Sequence, residues 1–266
     1  MAASAAAKKV CVTGAGGFVA SWLVKVLLSK GYIVHGTVRQ PGSQKYEHLL
    51  KLERASENLK LFKADLLSYE SVHSAIVGCS AVFHVASPVP STIVPNPEVE
   101  VIEPAVKGTA NVLEACLKAK VERVVFVSSI AAIGMNPNFS KDKVLDESCW
   151  SDKEYCRKSS DSLENKHRWI VDVRDLVDAL LLAYEKHEAE GRYICTSFPI
   201  KTQDLVEKLK SIYPNYNYPT NFIEVDDYRV LSSEKLQRLG WKYRPLEETL
   251  IDSVESYREA GLLQSE

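Results

Sequence analysis

The sequence predicts an α/β protein with a doubly wound parallel sheet, followed by a small C-terminal α/β region on the substrate side. In the N-terminal half, short apolar segments alternate with segments of helical periodicity, which indicates a sheet covered by helices. Most of these apolar segments lack an alternating polar pattern, as expected for strands that are buried on both faces. The first of them ends at a cluster of glycines that opens a helix.

The N-terminal half contains five strand signals in chain order. After the first strand, Val19, Leu23, Val26 and Leu27 recur at helical spacing, and residues 107–120 form a second, longer helical pattern. The expected order of the strands in the sheet is 3-2-1-4-5. The predicted strands are residues 10–12, 32–38, 59–65, 80–87 and 121–129.

The C-terminal half is organised differently. Residues 136–168 are polar and irregular, and we place them between a nucleotide-binding core of residues 1–135 and a C-terminal region of residues 169–266. That region begins with an amphipathic helix over 169–187, capped near Asp172. It continues with a predicted strand, GRYICTS at 191–197, and with helices over 202–214, 232–241 and 245–263.

Composition excludes several functional classes. The 266 residues carry 33 basic and 35 acidic side chains, a net charge of −2, which argues against nucleic acid or an anionic membrane as the main partner. No apolar segment reaches the length of a membrane span. The six cysteines are scattered without a metal-binding spacing, so we expect reduced thiols, no metal site and a cytoplasmic protein.

The glycine cluster has the spacing Gly14-x-x-Gly17-x-x-Ala20 between a strand and a helix. Gly14 permits a tight turn, Gly17 lets a pyrophosphate approach the backbone, and a small residue at position 20 allows close packing of helix and strand. The N-terminus of the helix offers amides and a positive dipole end to phosphates. This pattern predicts a Rossmann-type dinucleotide site, although a structural turn would look similar; the predicted contacts in the loop are Gly14, Gly16, Gly17, Phe18 and Val19.

The end of the second strand selects the type of dinucleotide. Enzymes that use NAD place an acidic residue there to bind the ribose 2′-hydroxyl, but this chain has Arg39 and no acid before Glu47. A guanidinium is suited to a 2′-phosphate, and Lys45 would add a second positive charge. The sequence therefore predicts NADP, with a solvated Arg39 as the alternative.

Further cofactor contacts are expected at the ends of strands three and four, because ligands bind at the carboxyl edge of such sheets. Asp65 and Leu66 follow strand three and are candidates for the adenine, although Asp65 would serve equally well to cap a helix that starts near Ser68. Val85, Ala86 and Ser87 end strand four, where small residues would let the nicotinamide ribose pass.

A set of longer motifs runs along nearly the whole chain. They are VTGAGGFVASWLVKVLLSKGY, GTVRQP, KADLL, VFHVASPV, EPAVKGTANVLEAC, VVFVSSIAA and ESCW, followed by VDVRDLVDALLLAYE, GRYICTS and LGWKYRPLEETL. These motifs resemble those of the plant cinnamoyl-CoA reductase and dihydroflavonol reductase group of the extended short-chain dehydrogenase/reductases. This resemblance implies an NADPH-dependent reduction of an acyl-CoA, ketone or aldehyde carbonyl on a small, phenylpropanoid-like substrate of the kind found in lignin chemistry.

The resemblance also implies a catalytic Ser, Tyr and Lys. The Ser matches Ser129, with Ser128 beside it; the alternative for Ser129 is a strand-end residue that satisfies a backbone group. The Tyr-x-x-x-Lys motif is absent, because none of the twelve tyrosines is followed by Lys four residues later. Tyr155, with Lys158 at a spacing of three, matches a segment that lies upstream of the catalytic Tyr in relatives.

Relatives carry a catalytic helix, a strand and a further helix between the segments that meet in this chain near Ser159–Ser162. A βαβ-scale block on the order of 50 residues is therefore missing, either through a skipped exon, an erroneous gene model or a degenerate gene. Lys158, Lys166 and His167 lie near the join and are expected to be solvated loop residues, with a substitute proton donor as the alternative. Whether the chain is an impaired reductase, a non-catalytic NADP-binding protein or a truncated product stays open, as do its substrate and oligomeric state.

The missing block has a structural consequence, because it contains the sixth strand of the sheet. We expect GRYICTS to pair beside strand five instead, or strand five to form an open edge. The crossover helix that would cover this region is also absent, so we expect part of the core to be bare and the solubility to be reduced.

Overall fold

The computed structural model describes residues 8–89, 94–140, 142–158, 167–222 and 229–263. The chain forms two compact units. The first contains Met1–Val127 and Ala183–His187, and the second contains Ser128–Leu182 and Glu188–Glu266.

A parallel sheet of five strands forms the centre of the first unit. Its strands follow the order β3-β2-β1-β4-β5, and every neighbouring pair is parallel. The predicted doubly wound sheet and its strand order are therefore confirmed. The strands are β1 (Lys9–Thr13), β2 (Ile33–Val38), β3 (Leu59–Lys63), β4 (Ala81–His84) and β5 (Arg123–Phe126).

Helices of the first unit pack on this sheet. On one face, Cys11 of β1 and Val82 of β4 form a buried apolar cluster with side chains of two helices, including Val72 and Val112. Val10 and Val12 are also fully buried and point to the opposite face, because side chains alternate along a strand. The helices are α1 (Phe18–Ser29), α2 (Glu47–Leu50), α3 (Ala55–Asn58), α4 (Tyr69–Ile76) and α5 (Glu103–Lys118).

The second unit is built around small apolar clusters. One cluster contains Ile133, Leu145, Cys149 and Ile194, and another is centred on Trp241. The strands form two ribbons, parallel β6–β9 and antiparallel β7–β8. The elements are α6 (Ala131–Gly134), β6 (Val144–Leu145), α7 (Lys153–Lys158), β7 (His167–Ile170), α8 (Val173–Glu185), β8 (Phe198–Lys201), α9 (Thr202–Ile212), β9 (Val230–Leu231), α10 (Glu234–Arg238) and α11 (Leu246–Glu259).

The predicted strand at 191–197 is wrong, and so is its predicted pairing beside β5. Residues 192–197 have no regular secondary structure, and the amide of Ile194 donates to the carboxylate of Glu147 at 2.9 Å. A backbone amide bound by a side chain does not form a ladder bond with a strand. The strand begins only at Phe198 and pairs with β7, so within the described residues β5 is the edge of its sheet.

An apolar face is exposed along α5. Whether it corresponds to the bare part of the core expected from the sequence stays a prediction. Five large apolar side chains recur at helical spacing along α5 and the turn that precedes it, and they are 40% to 80% exposed. Phe126 of β5 is also half exposed. The five side chains are Val99, Ile102, Val106, Leu113 and Leu117.

A buried carboxylate caps helix α8, as predicted. Asp172 is 5% exposed and accepts bonds from the backbone amide of Arg174 at 2.8 Å and from its guanidinium at 2.7 and 2.9 Å. Arg174 also pairs with Asp252 of α11 at 2.7 Å. Burial alone would raise the pKa of Asp172, but these bonds more than offset it and lower the pKa to about 2.

We predict that Asp172→Asn lowers the free energy of unfolding by about 2–3 kcal/mol at neutral pH, because the folded carboxylate is stabilised relative to the unfolded one. The depressed pKa makes this contribution complete above about pH 4, the ordinary range of an aspartate. It is lost as the pH falls through about 2. Urea denaturation of both proteins across this pH range measures the difference.

The matched control is Asp252→Asn, which removes a half-exposed partner of the same guanidinium and should cost less than about 1 kcal/mol. A loss for Asp172→Asn that is the same at pH 2.5 and pH 7 would contradict the assignment.

Candidate functional site

The predicted glycine loop forms a tight turn between β1 and α1. The amide of Gly17 donates to the carbonyl of Gly14 at 2.9 Å. Two further bonds attach the loop to the neighbouring strand β2: Ala15 donates to the carbonyl of Thr37 at 2.9 Å, and Gly14 donates to the Thr37 hydroxyl at 3.0 Å. Thr37, which sequence reasoning missed, therefore holds the loop in place.

Each glycine of the loop has a different close neighbour. Gly14 has a φ of +67°, and a Cβ there would lie 3.0 Å from the Cβ of Ala86. A Cβ on Gly16 would lie 2.3 Å from the ring of Tyr46, a buried side chain that the sequence did not single out. A Cβ on Gly17 would lie 3.3 Å from the carbonyl oxygen of Gly14.

Helix α1 begins directly after this turn. Phe18 and Val19 occupy its first turn, where backbone amides have no acceptor within the helix and the dipole is positive. The side chain of Phe18 is 72% exposed, so its predicted contribution is through the backbone. This end of α1 is suited to an anion.

A cavity of about 680 Å³ opens at the carboxyl ends of β2 and β3. It brings together three of the predicted residues, Arg39, Lys45 and Asp65. It also includes Lys63, which sequence reasoning missed. Lys63 is the last residue of β3 and pairs with Val38 of β2, so the strand pattern itself was a signal for it. The lining residues are Arg39, Gln40, Ser43, Lys45, Tyr46, Lys63, Ala64, Asp65, Ser68 and Ser71.

The charge of this cavity is positive. Three of its lining residues are basic and one, Asp65, is acidic. A concave surface with excess positive charge attracts a phosphate group. The ribose 2′-hydroxyl of NAD is instead bound by a carboxylate at the end of β2.

Asp65 and Leu66 lie in the turn after β3. The Asp65 carboxylate accepts the amide of Leu67 at 2.9 Å, and its own amide donates to the Ser71 hydroxyl at 3.1 Å. The alternative for Asp65, a cap on the following helix, is not formed, because its carboxylate closes a turn at Leu67 and the residue before α4 is Ser68. The carbonyl of Leu66 accepts a bond of 2.7 Å from the side chain of Asn111 in α5.

The end of β4 is held by one hydroxyl. The amides of Val85 and Ala86 both donate to the Thr13 hydroxyl at 3.0 Å. Ala86 thereby lies against Gly14, while Ser87 is exposed. The structure thus brings the residues after β4 beside the glycine loop, as predicted from the strand order.

The predicted catalytic serine belongs to the second unit. Ser128 and Ser129 are exposed, and the Ser129 hydroxyl accepts the amide of Ala131 at 3.1 Å. This is the backbone-satisfying arrangement that was the alternative for Ser129, and its catalytic role stays a prediction.

The join near Ser159–Ser162 lies outside the described residues, as does Lys166. Lys158 ends α7 and His167 begins β7, so the prediction that these two residues lie in a loop is wrong. Tyr155 lies in α7 with its side chain 44% exposed.

Two classes of feature are not found in the part of the chain that the structure describes. No group of three or more His, Cys, Asp or Glu side chains is placed to hold a metal ion. No helix there combines the length and apolar character needed to cross a membrane.

Together, the parallel sheet, the glycine loop and the positive cavity define a nucleotide-binding unit of the short-chain dehydrogenase/reductase type. Residues 11–165 match the 3-beta hydroxysteroid dehydrogenase/isomerase family. The chain belongs to this family of extended short-chain dehydrogenase/reductases, and within it to the cinnamoyl-CoA and dihydroflavonol reductase group.

Three comparisons support this assignment. Cinnamoyl-CoA reductase 1 of Petunia hybrida is 39% identical, over 98% of this chain and 95% of the relative. The bifunctional dihydroflavonol 4-reductase/flavanone 4-reductase of Malus domestica is 35% identical, over 96% and 92%. The crystal structure of vestitone reductase from alfalfa matches with a TM-score of 0.79 and 28% identity, over 96% of this chain and 99% of that one.

The alignment with the Petunia hybrida relative is longer than this chain. It spans 321 positions, whereas the chain has 266 residues. At least 55 of its positions therefore have no counterpart in the chain.

We predict that Gly14→Ala destabilises the protein more than Gly42→Ala does. Both glycines have positive φ, but a Cβ on Gly42 has nothing within 4 Å. The control should lose about 1–2 kcal/mol for the left-handed conformation, and Gly14→Ala roughly 1–3 kcal/mol more for overpacking against Ala86. Chemical denaturation measures both free energies of unfolding.

Adding Ala86→Gly to Gly14→Ala removes the Cβ that the new methyl group would meet, and should recover part of the excess loss. Equal losses for the two single variants would show that Ala86 does not restrict the loop.

Proposed function

We propose that this chain binds NADP(H) in its first unit and derives from reductases of acyl-CoA, aldehyde or ketone carbonyls on small phenylpropanoid-like substrates. We further propose that its own turnover is impaired. The observation that carries the first part is the cavity with Arg39, Lys45 and Lys63. Tyr46, which also lines it, lies against Gly16 of the glycine loop. A yeast methylglyoxal/isovaleraldehyde reductase solved in complex with NADPH shares the fold, with a TM-score of 0.81 and 22% identity.

The residues present fit such a cofactor. Close approach of a pyrophosphate to the backbone requires the absence of side chains at the turn, and Gly14, Gly16 and Gly17 provide it. The amides at the start of α1, at Phe18 and Val19, would bind the pyrophosphate. These positions belong to the chain's own backbone.

The remaining contacts follow the carboxyl edge of the sheet. Arg39 and Lys45 would bind the 2′-phosphate, with Lys63 as a third positive charge. Asp65 and Leu66 would contact the adenine. The nicotinamide ribose would lie against the residues that follow β4, which are Val85, Ala86 and Ser87.

The reduced nicotinamide supplies a hydride to a carbonyl carbon when it is bound. In the family that this chain resembles, a Tyr donates a proton to the carbonyl oxygen, a Lys lowers the pKa of that Tyr, and a Ser holds the oxygen. In this chain Ser129 matches the Ser, but the Tyr-x-x-x-Lys pair is absent from the sequence. Loss of general acid catalysis alone typically costs a factor of 10² to 10⁴.

A second candidate function is a non-catalytic NADP-binding protein or a truncated product. It is favoured by the alignment positions without a counterpart in this chain and by the exposed apolar face along α5. We propose that these observations have one cause, a missing block at the join near Ser159–Ser162. Sequencing a transcript across codons 155–170 tests this directly: an uninterrupted βαβ-encoding segment in the transcript would show that the gene encodes a longer, intact reductase.

We place the protein in the cytoplasm as part of the same proposal. The six cysteines lie within the described residues and none is in a disulfide, which is typical of proteins in a reducing compartment.

We predict that the protein binds NADPH more tightly than NADH, and that Arg39→Ala removes most of this preference. A charge-assisted bond to a phosphate contributes about 1.5–3 kcal/mol, so the affinity for NADPH should fall roughly tenfold or more while that for NADH stays unchanged. Fluorescence titration of the unmodified protein and of Arg39→Ala with NADPH and with NADH measures these affinities.

The matched control is Lys51→Ala, which removes one positive charge from a surface residue paired with Glu47 outside the cavity. Equal affinities of the unmodified protein for NADPH and NADH would refute the assignment of the cavity.

We predict that turnover of NADPH with feruloyl-CoA or a dihydroflavonol is far below that of the Petunia hybrida relative assayed in parallel. Ser129→Ala should then change the residual rate little, because one member of a catalytic unit contributes little once the others are absent. Turnover at about 1 s⁻¹ or faster, typical of enzymes, would mean that another group donates the proton.

A gain-of-function experiment distinguishes a missing catalytic segment from other causes of low turnover. Inserting the relative's Tyr-x-x-x-Lys segment at the join should raise turnover, and the same insert with Tyr replaced by Phe should not.

A further inference from the structure

We propose that His84 is a positioning residue for the nucleotide site, which holds the residues after β4 against the glycine loop through the hydroxyl of Thr13. His84 ends β4 and is 1% exposed. Its ring lies between two hydroxyls, with Nδ1 at 2.9 Å from the Oγ1 of Thr13 and Nε2 at 3.2 Å from the Oγ1 of Thr109 in α5. The inference rests on the proposed NADP(H) site.

The hydrogen-bonding capacity of Thr13 determines the direction of its bond to His84. A hydroxyl donates one bond and accepts two. The amides of Val85 and Ala86 both donate to the Thr13 oxygen at 3.0 Å, and an amide can only donate. Both acceptor positions are therefore used, so the hydroxyl proton of Thr13 must be donated to Nδ1 of His84.

This assignment also settles the tautomer of His84. Nδ1 accepts and carries no proton, so the proton of the neutral ring is on Nε2, which donates to the hydroxyl of Thr109. Burial lowers the pKa of His84 to about 4, so the ring is neutral at physiological pH. A protonated ring would bring a third donor to the Thr13 oxygen, which has only two acceptor positions.

The bond between Thr13 and His84 affects the nucleotide site through the position of Ala86. A Cβ on Gly14 would lie 3.0 Å from the Cβ of Ala86 and 3.2 Å from its Cα, so the backbone after β4 forms one wall of the glycine loop. The position of that wall depends on the two amide bonds to Thr13. Without an acceptor for its proton, the Thr13 hydroxyl would have to turn toward another group and release one of these amides.

Packing alone does not explain a histidine at this position. The ring lies 5.3 Å from that of Phe126, and a leucine would fill a comparable volume without burying polar nitrogens. A buried imidazole is favourable only where both nitrogens have partners. Its specific contribution is an acceptor directed at Thr13.

The first experiment compares substitutions that keep or remove this acceptor. In His84→Asn, the side-chain oxygen takes the place of Nδ1, whereas His84→Leu removes the acceptor. The matched control Thr109→Val removes the partner of Nε2 only. The dissociation constant for NADPH and the melting temperature are measured on the same samples.

We expect His84→Leu to weaken NADPH binding tenfold or more, and His84→Asn and Thr109→Val to stay within about threefold of the unmodified protein. A folded His84→Leu protein with unchanged affinity would overturn the proposal. So would affinities that follow the melting temperature across the three variants, because this is the behaviour of a merely structural residue.

The second experiment needs neither a variant that folds well nor the cofactor. In the unmodified protein at neutral pH, ¹⁵N spectra of the histidine rings should show an unprotonated, accepting Nδ1 and a protonated Nε2 for His84. The opposite tautomer would overturn the proposal. If the unmodified protein does not bind NADPH, the proposed cofactor site fails, while the tautomer still tests the bonding of His84.

Discussion

The hydroxyl of Thr13 is the point on which the geometry of the nucleotide-binding unit depends. It lies at the end of β1, accepts two amides from the residues after β4 and is bonded to His84. The carboxyl ends of β1 and β4 are thereby held side by side. Because the glycine turn starts at the next residue, the turn and its opposite wall share one anchor. Thr37 of β2 provides the second anchor, through its hydroxyl and its carbonyl.

The positive cavity follows from the same arrangement of strands. In a parallel sheet all carboxyl ends lie at one edge, so Arg39 after β2 and Lys63 at the end of β3 come together although they are 24 positions apart in the sequence. Lys45 reaches the cavity from the segment between them. The strand order therefore determines where the positive side chains meet. Single substitutions change the amount of positive charge at the site but not the position of the site.

The nucleotide-binding sheet forms in a chain that lacks a Tyr-x-x-x-Lys motif. The five-stranded sheet is complete within the residues up to Phe126, and its edge strand is supported by contacts within the first unit. Arg123 of β5 donates to the carbonyls of Ala183 and Lys186 at 3.0 and 2.7 Å. A chain without the Tyr-x-x-x-Lys segment can thus keep a formed nucleotide site. Cofactor binding and catalytic turnover can therefore be tested independently.

The sequence by itself determined the five-stranded parallel sheet, its order, the glycine turn and the cap of α8 at Asp172. These features follow from local patterns, namely apolar runs, helical spacing and the conformational freedom of glycine, and the strand order follows from regular crossovers. The sequence also predicted that Arg39 and Asp65 lie at one edge of the sheet, because each comes at the end of a strand, and it offered Lys45 in the segment after strand two. These predictions needed no knowledge of which side chains touch.

Only the tertiary structure decided the features that depend on contacts between distant residues. The segment 191–197 has a strand-like composition, but the amide of Ile194 donates to the carboxylate of Glu147. A bond between residues so far apart in the sequence cannot be predicted from a local pattern. Tyr46 covers Gly16, and His84 lies between two threonines, for the same reason. The role of each of these residues depends on a contact with a residue that is distant in the sequence, and the two become neighbours only once the chain has folded.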